Sequence, residues 1–260
     1  YQVMLDEQVD AAEFVPAVVR GVMDYCDREG KRLDFMRLLV VGSDVWKVEE
    51  YQRLRALAGP RSRVINSYGL SEATIDSTYF EGATEHLEPS RMVPIGRPFP
   101  NSALYILDEH RQPLPAGVPG ELWIGGGGVS AGYVGDEEQT AQRFVTLTLT
   151  LSPGAKPQRL YRTGDLARWS GDGEVQLIGR VDTQVKVRGH RVEIGEIESQ
   201  LAGWEPIRQA VLTVREDARG EAALCAYCVA AEEGERLNWR ALREHLAAYL
   251  PTFMIPAHYV

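Results

Sequence analysis

The sequence predicts an α/β fold in two parts. A partial large subdomain combines a parallel α/β sheet with a small β-barrel-like unit, and a small α+β C-terminal subdomain follows it. Three observations predict this. Helices and strands alternate with short turns up to about residue 92, as in a parallel sheet. Short strands joined by Pro- and Gly-rich links occupy 93–181. At Asp182 the pattern changes to helix, two strands and helix, ending in a truncated subdomain at 260.

The first helix places Val15, Val18, Val19, Val22 and Cys26 on one face, with Pro16 in its first turn and Gly30 at its stop. The nearly unbroken apolar run 37–42 reads as a buried parallel strand. Ser43 or Asp44 is positioned to cap a second helix through Val48, Tyr51, Leu54 and Ala58, closed by Gly59 and Pro60. Residues 63–66 form a further strand. In the β-rich part the clearest strands are 103–107, 120–124 and 174–178. The last part holds a helix over 196–201, strands over 209–214 and 222–229, and a helix over 239–250. Asn238 caps that final helix, and Trp239, Leu242, Leu246 and Tyr249 share one of its faces.

The net charge of -9 excludes a general nucleic-acid or anionic-membrane binder, because phosphate would repel it. No apolar run reaches the ~18–20 residues of a membrane span, and no leader is expected. Three cysteines make no disulfide framework. Cys225 and Cys228 have redox or metal spacing, but they sit in an apolar strand-like run with no second ligand pair. A cytoplasmic protein with reduced thiols is expected.

Four segments carry chemistry. In Asn66-Ser67-Tyr68-Gly69-Leu70-Ser71-Glu72-Ala73-Thr74, a strand leads into a turn with a hydroxyl, a carboxylate for a hard cation and a flat ring able to stack on a base. Taken alone, the segment reads first as an ordinary strand-to-helix turn capped by Ser71. The glycines 125–128 suit a phosphate cradle or a tight bend where backbones approach, and no Gly-Lys-Ser/Thr follows them. Asp165 follows Gly164 and can accept both hydroxyls of a ribose, or simply form a turn. Finally, Lys186, Arg188 and Arg191 crowd a bend at Gly189, which fits either an anion or a solvated basic hairpin.

In this order, these segments resemble the adenylation domain of a nonribosomal peptide synthetase, a branch of the acyl-CoA synthetase and luciferase superfamily. The resemblance spans nearly the whole chain: Asn66–Glu72, Gly120–Tyr133, Tyr161–Asp165, Gly179–Lys186 and Leu250–Pro256. It implies an ATP-dependent ligase. A carboxylic acid, whether amino, hydroxy or keto, would be activated to an acyl-adenylate with loss of pyrophosphate. The acyl group would then pass to the phosphopantetheine thiol of a carrier protein.

The resemblance also implies roles. Glu72 would hold Mg²⁺ and act with Lys186 in catalysis. Asn66, Ser67, Tyr68, Gly69, Ser71, Asp165 and Arg180 would bind ATP, with Tyr68 against adenine and Asp165 on the ribose. Asp182 would be the hinge joining the two subdomains, about which the small C-terminal one rotates between adenylation and thioester formation, and Gly189 would line the thioester tunnel. Ala17, Leu39, Val41, Ser67, Ile75 and Asp76 would line the acyl pocket, an apolar slot ending in one acid that suits a polar or cationic tip. Implied partners are the remainder of the adenylation domain, a carrier protein and an MbtH-like accessory protein.

The sequence departs from the pattern at Leu70, where proline is commoner, and at Ala131, where arginine is usual. The family's phosphate loop is expected upstream of Tyr1, and its Asn-Gly-Lys segment downstream of Val260. Removing one transition-state-stabilising group costs on the order of 10²–10³ in rate, so the chain alone is expected to be nearly inactive. Two rival readings are a coenzyme A-dependent ligase of the same superfamily and a silent half-domain acting as scaffold.

Overall fold

A computed structural model describes residues 1–148, 156–187, 189–216, 222–232, 234 and 236–260. These fall into two compact units, Tyr1–Asp182 and Thr183–Val260.

The first unit opens with α1 (Gln2–Asp6), β1 (Ala11–Phe14), α2 (Pro16–Glu29), β2 (Leu38–Val41), α3 (Val48–Leu57) and β3 (Arg63–Tyr68). Strands β1, β2 and β3 are parallel neighbours, and β4 (Thr78–Phe80) and β5 (Arg97–Pro98) extend the sheet antiparallel. Register decides what faces what. Glu13, Val40 and Ile65 are aligned across the sheet, as are Phe14, Val41 and Asn66. Successive strand residues point to opposite faces. Leu39, Val41 and Val64 therefore meet Val19, Met23 and Cys26 of α2 and Val48, Tyr51 and Leu54 of α3 in one apolar core, while Glu13, Val40, Ile65 and Ser67 face the other way.

The helix boundaries have local causes. Helix α2 starts at Pro16 and stops at Gly30, which is left-handed at φ 62° and donates its N–H to Cys26. Its buried face is Pro16, Val19, Met23 and Cys26, whereas Val18, expected on that face, is 52 % exposed. Neither Ser43 nor Asp44 caps α3. Lys47 is its N-cap, and the Glu50 carboxylate accepts the Lys47 N–H at 2.6 Å; the Asp44 side chain bonds Val45 instead.

The second sheet contains β6 (Ser102–Leu107), β7 (Gly120–Gly126), β8 (Phe144–Leu147), β9 (Gln158–Trp169) and β10 (Val175–Arg180), all antiparallel, with α4 (Glu137–Arg143) before β8. Strand β9 pairs with three others and corrects the reading of Gly164 and Asp165 as a turn: they lie inside a twelve-residue strand. Gly164 is left-handed there (φ 77°), and the pairing with both β7 and β10 shifts register.

In the second unit β11 (Gln184–Val187) and β12 (His190–Glu193) form a hairpin, followed by α5 (Ile194–Ala202). Strands β13 (Ile207–Glu216), β14 (Ala222–Ala230) and β15 (His258–Tyr259) make a sheet, and α6 (Trp239–Tyr249) precedes β15. Asn238 caps α6, accepting the Ala241 N–H at 3.1 Å. Leu242 and Leu246 enter the core, whereas Tyr249 is 65 % exposed. Cys225 and Cys228 both lie in β14, three residues apart and so on opposite faces, where they cannot chelate one ion. No cluster of three metal-ligating side chains occurs among the described residues. No described helix is long and apolar enough to cross a membrane.

Candidate functional site

The turn after β3 is built by backbone contact. A Cβ on Gly69 would stand 1.5 Å from the Ile75 carbonyl oxygen, so only glycine fits where the loop closes on itself. Ser71–Ala73 form one 3₁₀ turn, Thr74 and Ile75 are left-handed (φ 61° and 65°), and the Ser77 N–H returns to the Tyr68 carbonyl at 2.9 Å. The segment is thus a strand-to-strand hairpin and not the entry to a helix.

That hairpin lies against β9 at two points. The Tyr68 hydroxyl donates to Asp165 Oδ2. Glu72 Oε1 accepts from the Tyr161 hydroxyl at 2.9 Å and the Tyr133 hydroxyl at 2.7 Å. Burial first, then the Asp165 charge, raises the Tyr68 pKa well above its ordinary 10. The Tyr133 phenol is pushed up too, by burial and then by its hydrogen bonds to Tyr161 and Glu72.

The four glycines fold over the same hairpin. Ser130 donates its N–H to the Glu72 carbonyl at 2.9 Å, and the Thr74 hydroxyl donates to the Gly128 carbonyl at 2.7 Å. Gly126 is left-handed (φ 107°), and a Cβ there would meet the Asn101 carbonyl at 2.1 Å. The run behaves as a close backbone approach, the second of the two readings open from sequence.

Asp165 is 6 % exposed. Its Oδ1 accepts from Arg180 Nη1 at 2.6 Å. The same guanidinium donates from Nε and Nη2 to the two oxygens of Asp182, at 2.7 and 2.9 Å, and from Nη2 to the Thr163 carbonyl at 3.2 Å. Arg143 adds a longer contact to Asp182 at 3.4 Å. The Thr163 hydroxyl donates to the Leu122 carbonyl and accepts the Asp165 N–H, fixing the strand kink.

The other expected site residues are placed as follows. Asn66 is buried with its amide used within the fold: Oδ1 accepts from Trp46 Nε1 at 2.8 Å and Nδ2 donates to the Pro94 carbonyl at 2.7 Å. Tyr68 is 4 % exposed, its ring part of the core beneath the second sheet. Leu39 and Val41 face the helices, opposite Ser67, so they do not join it in one pocket wall. Ile75 is 68 % exposed. Ala17 is half-buried in the first turn of α2, and no described contact links it to Ser67 or Asp76. Ser67 and Asp76 are brought together, Ser67 holding down part of the rise that burial gives the Asp76 carboxyl.

In the second unit Lys186 is opposite Arg191 in the β11–β12 pairing, Gly189 is left-handed (φ 82°), and Arg191 Nε donates to Gln184 Oε1 at 2.6 Å. Arg188 lies outside the described residues. Sequence reasoning assigned no role to Tyr133, Tyr161, Thr163 or Arg143. The first three lie within the quoted motifs, which is the signal that could have found them.

Residues 1–134 match the family described as AMP-binding enzyme. The chain belongs to that family. It is 43 % identical to bacitracin synthase 2 of Bacillus licheniformis over 95 % of this chain and 9 % of that protein. It is 42 % identical to tyrocidine synthase 3 of Brevibacillus parabrevis over all of this chain and 4 % of that one. Among solved structures, an artificially fused adenylation and carrier di-domain, NpsA-ThdA from Klebsiella oxytoca, superposes with a TM-score of 0.83 at 26 % identity, covering all of this chain and 46 % of its own. PA1221, a peptide-synthetase protein containing adenylation and carrier domains, gives 0.84 at 28 % identity over 100 % and 43 %. The chain therefore corresponds to a fragment of a peptide-synthetase adenylation domain, spanning under a tenth of these synthetases and about half of these solved chains.

Proposed function

We propose that this chain supplies the nucleotide-facing part of a site that activates an amino acid with ATP. The substrate carboxylate attacks the α-phosphorus, the bond to the β-phosphate oxygen breaks, and pyrophosphate leaves. The acyl-adenylate is then attacked by the phosphopantetheine thiol of a carrier protein, giving a thioester and AMP. One observation carries the reading: two motifs far apart in sequence converge on β9, Tyr68 on Asp165 and Glu72 on Tyr161. Titratable oxygens gathered in this way beside a tight turn fit a nucleotide site.

Asp165, with Arg180 on one oxygen, is the group we assign to the ribose hydroxyls, which would displace or share the Tyr68 and Arg180 bonds. Ser71 lies beside Glu72 in the 3₁₀ turn and is assigned to the phosphates. Glu72 fits Mg²⁺: a glutamate oxygen is a hard donor, and Mg²⁺ in nucleotide sites takes one or two carboxylates plus phosphates and water. When bound, that ion would neutralise the departing pyrophosphate. Two phenols on Oε1 hold the carboxylate in one orientation. Asp182, gripped by Arg180, is assigned to the hinge between domains 1–181 and 182–260, and Lys186 and Gly189 to the face presented during thioester formation. An MbtH-like partner belongs to the same reading.

Substrate-dependent ATP–pyrophosphate exchange tests it, on this chain alone and on the chain extended to the length of its solved relatives. Exchange in the extended protein, driven by an amino acid, is expected. A folded extended protein that binds no nucleotide and exchanges with no acid would leave the scaffold reading standing.

A further inference from the structure

We propose that Glu13 and Asp76 together form the end of the acyl pocket and select an amino acid with a cationic side chain. The inference rests on the adenylation reading above.

The placement comes from strand register. Glu13 on β1 is level with Val40 on β2 and Ile65 on β3, and Ser67 lies two residues beyond Ile65 on the same face. This face is opposite to the one that α2 and α3 cover. Asp76 comes back to it from the hairpin, beside Ser67. The wall is thus apolar along Val40 and Ile65 and acidic at Glu13 and Asp76. An exposed glutamate on a strand is ordinary by itself; its pairing with a second carboxylate is not.

The two groups lack a countercharge. Burial and then the charge of Asp76 push the Glu13 carboxyl up, and burial pushes Asp76 up. No arginine or lysine is among the causes of either shift, and neither residue has an ion pair among the described residues. Ser67 is a second pointer. It is 4 % exposed, and its hydroxyl meets no hydrogen-bond partner of ordinary geometry although Asp76 is near. Two carboxylates and a buried hydroxyl around one spot are what an ammonium or guanidinium recruits, because each hydrogen bond it donates would be charge-assisted. A neutral side chain would leave the like charges facing each other, and an acidic one would add a third.

The experiment uses the chain extended to the length of its solved relatives and measures kcat/KM for pyrophosphate exchange. The probes are ornithine, lysine and arginine against norvaline, norleucine, glutamine and glutamate. One cationic acid is expected to exceed its neutral counterpart by about 100-fold, the scale of two charge-assisted hydrogen bonds. Asp76→Asn is expected to narrow that ratio by about 10-fold or more, and Glu13→Gln by less, since Glu13 is the more exposed. Both are isosteric, and a thermal melt confirms that each variant folds. Preference for a neutral or acidic substrate overturns the inference and leaves the adenylation reading intact, as does a ratio that neither variant changes. Absence of exchange with every acid overturns the adenylation reading and this inference with it.

Discussion

Tyr68 and Asp165 stand 97 residues apart in sequence and share a hydrogen bond, the phenol donating to the carboxylate. Tyr68 closes β3 of the first sheet and Asp165 lies on the kink of β9 in the second, so the bond ties the two sheets at the candidate nucleotide site. Tyr68→Phe keeps the ring and removes the donor. The carboxylate, 6 % exposed, is left one partner short, which costs about 1–3 kcal/mol. Urea unfolding should register that loss, and an unchanged midpoint would show the bond to be idle.

Arg180 reaches Asp165 and Asp182 at once, and its side chain and those of its partners are 16 %, 8 % and 28 % exposed. Removing one member of a buried charge network leaves an uncompensated charge, typically costing about 3–5 kcal/mol. Arg180→Ala should therefore destabilise strongly. Arg180→Lys should recover little, because one ammonium cannot serve two carboxylates in the fixed fork of a guanidinium. A lysine variant as stable as the parent in denaturant titration would contradict this.

Much of this was legible in the sequence because it is local. The apolar run at 37–42, the Pro16 start and Gly30 stop of α2, and the Asn238 cap each follow from a few adjacent residues. What the sequence concealed is pairing. Gly164 inside a run of strand formers reads as a turn unless one knows that β7 and β10 both pair with β9 and shift register there. The face of β2 was ambiguous for the same reason: Leu38, Leu39, Val40 and Val41 are all apolar, so nothing in the run says which two meet the helices. Glu13 was invisible as a site residue because only the alignment of β1 with β2 and β3 brings it to the Ser67 face.

The Gly69 contact makes a sharp test of the hairpin. Gly69→Ala places a Cβ against the backbone of Ile75, which no rotamer can relieve, and the hairpin must open. A loss above about 3 kcal/mol is expected, in the range reserved for backbone and packing clashes. Gly127→Ala, with nothing within 4 Å of the added carbon, should change stability by under about 1 kcal/mol. If the glycine run served only as an anion cradle, the substitution at 127 would weaken nucleotide binding as much as one at 126.

Glu72 divides structure from chemistry. Glu72→Gln keeps an acceptor for the Tyr133 and Tyr161 phenols but removes the charge assigned to Mg²⁺. Melting temperature should move by only a few degrees. The Mg²⁺ concentration needed for half-maximal nucleotide binding should rise by about 10-fold or more, read by titration of a fluorescent ATP analogue. Equal Mg²⁺ dependence in both proteins would remove Glu72 from the metal site.

Tyr51 gives the fold an alkaline limit. Its ring is fully buried between α3 and the first sheet, and its hydroxyl donates to the Val64 carbonyl at 3.1 Å. Burial pushes its pKa up to about 12. The unfolded phenol ionises near 10, so between these values the unfolded chain gives up a proton that the folded one keeps, and stability falls as pH rises. Below pH 10 the contribution is intact; through pH 12 it decays, by up to about 2–3 kcal/mol in all. Tyr51→Phe should be less stable than the parent by about 1 kcal/mol at pH 8 through the lost hydrogen bond, yet lose less between pH 10 and 12. Denaturant midpoints should therefore converge and then cross between pH 10 and 12, and parallel pH profiles would mean that the Tyr51 phenol is not the group that titrates.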